Sequence, residues 1–181
     1  MDFGLRQRVA LITGCTSPLG SDIARLLAAQ GAWIALNYFA DNQAAKTLLD
    51  AIRGNGGRCM LAAGNVRDAE GAWKVARYVE AEWAQIDILI HVASLLSGAE
   101  AAENPEPLLT ELLPGMQAHH WGRIVVFSAN SPMAFTQSDF HNVLINCISV
   151  AGAPQNDALA RLTLFLASEW NMCLNGQTLS C

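Results

Sequence analysis

Six short apolar runs organise this sequence: Val9–Thr13, Ala32–Tyr38, Arg58–Ala63, Ile86–Ala93, Arg123–Ser128 and Val143–Ser149. They are continuous rather than alternating, the pattern of strands buried on both faces. Helical spacing fills most of the intervals. Ser17 caps a first helix with Pro18 at its first position, where a missing N–H costs nothing, and Gly31 closes it. Asp41 opens a second helix that runs through Ile52, Asp68 caps a third, and Asp157–Ser168 is the last strong one. A short helical piece is expected at Leu108–His119 and an edge strand at Gly176–Ser180. Strands that alternate with helices form a parallel sheet, because parallel neighbours need a long crossover. Right-handed crossovers give an α/β, Rossmann-like, doubly wound sheet with helices on both faces and the first strand central. No repeat, low-complexity tract or internal linker divides the chain, so residues 1–181 read as a single domain.

Composition narrows the partners. Apolar residues make up 52% and charged residues 15%, with a net charge of -5 and no basic stripe, which disfavours nucleic acid. The longest apolar runs are too short to span a bilayer, and the N-terminal run leads directly into a glycine turn rather than a signal-peptide cleavage site. Five scattered cysteines, with no Cys-x-x-Cys or zinc-type Cys/His spacing, read as a reduced cytoplasmic set without a metal site. Cys15 lies in the glycine turn, where a small filler residue is the simpler reading than a reactive thiol.

The ordered pieces RVALITG, NYFADNQAA, GNVRD, DILIHVAS, LLPGMQAHHWGRIVVFS, VLINCIS and LARLTLFLASEWNMCLNGQTLS resemble the short-chain dehydrogenase/reductase family, most closely its 3-oxoacyl-carrier-protein reductase branch, in a shortened and degenerate form. The resemblance implies an NADP-type cofactor site at Thr13, Gly14, Ser17, Leu19, Gly20, Asn37, Tyr38, Asn65, Val66 and Ala93. Several of these positions depart from the family pattern. Pro18 replaces the middle glycine of the turn, Ser17 stands where NADP-preferring members often carry a basic residue, and Asn65 replaces the usual aspartate. His91-Val-Ala-Ser94 replaces Asn-Asn-Ala-Gly after the fourth strand. Proline removes a donor and adds bulk where a pyrophosphate should approach, so NADP is expected to bind weakly or not at all.

The family's chemistry implies a Ser and a Tyr-x-x-x-Lys pair that moves a proton at the substrate oxygen. This sequence has two tyrosines, Tyr38 and Tyr78, and its lysines are Lys46 and Lys74, so no Tyr-x-x-x-Lys exists. Ala129, rather than Ser128, falls at the family's serine position. Ser128 and His141 remain as candidates for chemistry, with His91 as a second relocated acid/base. Asp139, His141 and Ser128 form at most an imagined triad, while His119 and His120 are adjacent and point apart. The acidic run Glu100, Glu103, Glu106 and Glu111 reads as a solvated link, and Trp73 and Trp83 as packing.

The fifth strand passes to the sixth through Ala129–Asn142 only, and the link before the Leu108 helix is short. One helical layer is therefore expected to be depleted, baring apolar faces of the fourth and fifth strands for a second copy of the chain. The resulting expectation is a homo-oligomeric binding or accessory protein without hydride transfer. The alternative is an NADP(H)-dependent oxidoreductase, or another carbonyl or acyl enzyme, with a relocated acid/base.

Overall fold

A computed structural model of the chain describes residues 2–40, 42–92, 104–129, 142–150 and 155–181. Seven strands form one parallel sheet: β1 (Val9–Thr13), β2 (Trp33–Tyr38), β3 (Cys59–Ala63), β4 (Ile88–His91), β5 (Gly122–Ala129), β6 (Val143–Val150) and β7 (Thr178–Ser180). Their order is β3-β2-β1-β4-β5-β6-β7, so β1 is central and the switch point lies between β1 and β4. Among the described residues five helices cover the sheet: α1 (Pro18–Ala29), α2 (Asn42–Gly54), α3 (Ala69–Trp83), α4 (Glu106–Ala118) and α5 (Asn156–Ala167).

Alternation along each strand divides the core. Ile12, Ile34, Ile90, Phe127 and Ile148 face α1, α2 and α5, whereas Leu11, Ala35, Leu89, Val126 and Ile145 face α3 and α4. Among the described residues three helices lie on one face and two on the other, and the segments after β4 and β5 on which the expected depletion falls lie partly outside the described residues. The expectation that depletion bares β4 and β5 is not met. α4 begins at Glu106, and Leu108, Leu109, Leu112 and Met116 belong to the core that buries Leu89, Ile124 and Val126 completely. Each such buried side chain contributes about 2 kcal/mol, enough to retain a short helix on the sheet.

Other boundaries shift modestly. β4 is shorter than Ile86–Ala93: Asp87, just before it, bonds β1 and β5 through its backbone and β1 again through its carboxylate, and Ala93 lies outside the described residues. β5 and β6 pair in parallel from Gly122↔Val143 to Ala129↔Val150, as the tight crossover requires. Trp73 does not pack as expected and is half exposed, whereas Trp83 meets Trp33 at 5.8 Å between ring centroids.

Charge concentrates where strands enter the sheet. Arg123 is 2% exposed yet donates to the carbonyls of Ser168, Gly122, Asn142 and Asn171 and to Asn142 Oδ1. Its guanidinium and that of Arg8 both lie over the Trp121 ring, at 4.6 and 3.8 Å. Burial, together with the nearby Arg8 charge, lowers the Arg123 pKa to about 10. Asp87 accepts from Arg8, Gln85 and the Val9 N–H, tying β1 to the loop before β4.

Candidate functional site

The opposite edge of the sheet, where strands end, holds the glycine turn. Gly14 has φ +63°, the left-handed region that turns the chain out of β1. Ser17 then caps α1: its Oγ accepts from the Gly20 N–H at 3.0 Å and donates to the Gly14 carbonyl at 2.8 Å. Its own N–H also donates to the Gly14 carbonyl. A Cβ on Gly20 would stand 2.3 Å from that same carbonyl, so the helix can approach the turn only with glycine there. Both matched glycines are thus required by the turn itself.

Those bonds use up donors. Pro18 has no N–H, and the N–H groups of Ser17 and Gly20 are taken within the turn. Among the described residues, the Leu19 N–H alone of the first helical turn is left for an anion. A pyrophosphate at a helix N-terminus ordinarily draws on several such donors. The structure brings together Thr13, Gly14, Ser17, Leu19 and Gly20 as the sequence implied, with Ser17 and Leu19 nearly buried.

The rim is equally committed. Asn37 is 4% exposed and its amide donates to the carbonyls of Ala62 and Gly64 at 2.9 and 3.1 Å, locking the ends of β2 and β3 together. Tyr38 is half-buried against the α1/α2 core. Asn65 Oδ1 accepts from the Arg67 N–H at 3.2 Å, and its amide reaches Asp68 at 3.4 Å. The acceptor expected to meet an adenine is therefore occupied by its own loop. Val66 is buried beneath α3. Ala93 and His141 lie outside the described residues, as do Asp139, Glu100 and Glu103.

Register reveals a feature the linear sequence does not. Thr13, His91, Val126, Cys147 and Thr178 stand side by side across β1, β4, β5, β6 and β7, on the face covered by α3 and α4. Thr13 Oγ1 and His91 Nδ1 share a hydrogen bond at 3.0 Å, both groups being almost wholly buried. One step beyond this row, Ser128 Oγ is 3.5 Å from Cys147 Sγ and 2% exposed. Ala129, at the family's serine position, is the exposed last residue of β5. The row contains no carboxylate, Lys, Arg or Tyr.

The remaining candidates stand apart from it. Lys46 is on α2, under the opposite face, and Lys74 is on the exposed side of α3, paired with Glu70. Burial pushes the Cys15 thiol up to about 12, so the reactive-thiol reading gives way to the filler reading. His119 and His120 sit exposed at the end of α4, and no metal-holding group of His, Cys, Asp or Glu occurs among the described residues.

Comparison with known proteins agrees with this architecture. A family profile described as short chain dehydrogenase matches residues 8–110, more than half of the chain. The D-beta-hydroxybutyrate dehydrogenase of Cupriavidus necator is 32% identical over 136 residues, 67% of this chain and 52% of that protein. The 3-oxoacyl-[acyl-carrier-protein] reductase of Synechocystis is 30% identical over 91 residues, 50% of this chain and 37% of that protein. The chain thus spans about half, or less, of the length of these curated relatives. Among solved structures, a 3-oxoacyl (acyl-carrier-protein) reductase from Agrobacterium tumefaciens C58 with NADP bound superposes with a TM-score of 0.83. That alignment covers 98% of this chain and 94% of the other at 24% identity, a likeness of fold.

Proposed function

The chain belongs to the short-chain dehydrogenase family, and from that premise we propose that it is a member without hydride-transfer activity, a single domain over residues 1–181 that acts as an oligomeric binding or accessory protein in the cytoplasm. The observation that carries this reading is chemical. The sequence contains no Tyr-x-x-x-Lys, and its two lysines stand on α2 and α3, away from the row at the strand ends. Without a phenol of lowered pKa near the reacting oxygen, reduction of a carbonyl has no proton source of the family's kind. The spent donors of the turn and the engaged amide of Asn37 weaken NADP at the same site. NADP is the cofactor of the solved relative from Agrobacterium, and the fold keeps the crevice in which it would lie.

No helix among the described residues is long and apolar enough to cross a membrane. The oligomer no longer rests on a bare sheet face, because α4 covers it. It rests instead on the half-buried Leu162 and Phe165 of α5 and on the outer edge of β7, which has no strand beyond it among the described residues.

One observation favours a second reading. His91, hydrogen-bonded to Thr13 at the end of β4, is an acid/base group at the ligand edge of the sheet. On that reading the chain is an NADP(H)-dependent carbonyl or acyl enzyme with a relocated proton donor. Calorimetric titration with NADPH and NADH, with turnover measured on a panel of ketones and thioesters and mass measured in solution, separates the two. The accessory reading expects weak or absent binding, no turnover and a mass above the monomer's. NADPH consumption that depends on substrate, and that disappears with a bulky residue at Gly14, would overturn it; loss of that turnover in His91→Phe would establish the second reading.

A further inference from the structure

At the other end of the sheet from the glycine turn, β3 forms the outer strand and begins in a cleft of about 610 Å³. Its walls come from the end of α2, the start of β3 and the last turns of α3. Two arginines reach it. Arg53 is fixed by Nε and Nη2, both of which donate to the Cys59 carbonyl at 3.0 and 2.8 Å. Arg58 is held differently. Its backbone carbonyl accepts from the Ile34 N–H, and its guanidinium lies 3.8 Å from the Trp33 ring centroid and 5.8 Å from that of Trp83.

Arg58 has no carboxylate partner among the described residues, although the protein carries five more acidic than basic side chains. An exposed arginine in such a protein would ordinarily wander among acids. Here the Trp33 ring, with Trp83 near it, holds the guanidinium, so part of the entropy of ordering its fork is already spent before any ligand arrives. The half-exposed Tyr78 and the Trp83 ring line the same, largely polar cleft. Glu82 also lines the cleft, and among the described residues it makes no ion pair with either arginine, which are bound to Cys59 and Trp33.

A planar guanidinium with free N–H edges matches a carboxylate through two parallel hydrogen bonds. The aromatic wall supplies a surface for a flat body, and the Glu82 charge disfavours a dianion. We propose that this cleft is a second ligand site, distinct from the nucleotide crevice, that takes a small aromatic monocarboxylate, with Arg58 as its carboxylate clamp and Tyr78 and Trp83 against the ring. The site lies at the strand starts, so occupancy is independent of whatever binds at the glycine turn.

Benzoate is the simplest probe. Titration of the full chain, followed by indole fluorescence and by calorimetry, is expected to show saturable binding at one site, and Arg58→Met to weaken it about tenfold or more. Methionine retains packing on the indoles while removing the fork, and unchanged circular dichroism of the variant shows that the fold survives. Tyr78→Ala is expected to weaken benzoate while leaving acetate, which lacks the ring, unaffected. The proposal is overturned if benzoate fails to saturate, if inorganic phosphate competes as well as benzoate does, or if Arg58→Met binds benzoate like the parent chain.

Discussion

The two edges of one sheet make opposite use of polar residues. Where strands begin, full charges are gathered: Arg8, Arg123, Asp87 and Glu169 surround Trp121, and Arg58 stacks on Trp33. Where strands end, the edge at which this fold binds ligands, the groups are Thr13, Asn37, His91, Ser128 and Cys147, buried in or beside the strand ends. The first edge staples distant segments, since Arg123 alone joins β5, the entry to β6 and residues 168–171. At the second, the bonds of Asn37, Thr13, Ser17 and Asn65 run to neighbours within the same strand ends and turns. One sheet thus separates two kinds of polar chemistry, ion-paired and stacked charges at the strand starts and buried hydroxyl, amide, imidazole and thiol groups at the strand ends.

The sharpest way to break this contrast is at Arg123. Arg123→Met is expected to cost about 3 kcal/mol or more, because several buried carbonyls lose their donor at once, and denaturant unfolding should record it. A loss below about 1 kcal/mol would mean that the charged edge is decoration. At the other edge, Gly20→Ala drives a Cβ into the Gly14 carbonyl and should cost about 2 kcal/mol in the same measurement.

Buried thiols provide a test common to both edges. Cys15 lies beneath the turn and Cys59 begins β3, and burial raises both to about 12 from an ordinary 9.0. The unfolded chain thus loses these protons first, so stability is flat below pH 9 and falls as pH rises from 9 toward 12. Between pH 8 and 10 the loss should be about 1.4 kcal/mol per thiol, and Cys59→Ala should remove its share of that slope. The smallest effect expected is that of Ser17→Ala, about 1 kcal/mol from a lost cap. It is also the most discriminating, because it releases the Gly20 N–H. NADPH should bind no more weakly to the variant than to the parent, and a marked loss of binding would show that Ser17 serves the nucleotide rather than the helix.

Much of this was legible in the residues. Continuous apolar runs marked six strands of a parallel sheet with the first one central, Gly176–Ser180 marked the edge strand, and Ser17 and Asp68 announced the starts of α1 and α3. Those signals act over three or four positions, so neighbours in sequence suffice to read them. The short α4 was legible as an element and misjudged in its effect: Leu108–His119 named the helix, while its sufficiency to bury β4 and β5 depended on where Leu89, Ile124 and Val126 stand in the sheet. Asn65 was similar, since nothing in the order of residues shows that its oxygen would meet the Arg67 N–H rather than a ligand.

By itself, then, the sequence determined the fold, the helix caps and the absence of a Tyr-x-x-x-Lys pair, because composition and local spacing are properties of the chain before it folds. The tertiary structure alone decided that Asn37 locks β2 to β3, that Thr13 meets His91, and that Arg8 and Arg123 share one indole. These partners lie 25 to 115 residues apart, and only strand register and packing bring them within bonding distance. The same packing gathers Arg58, Trp33 and Trp83 into one cluster at the start of β3.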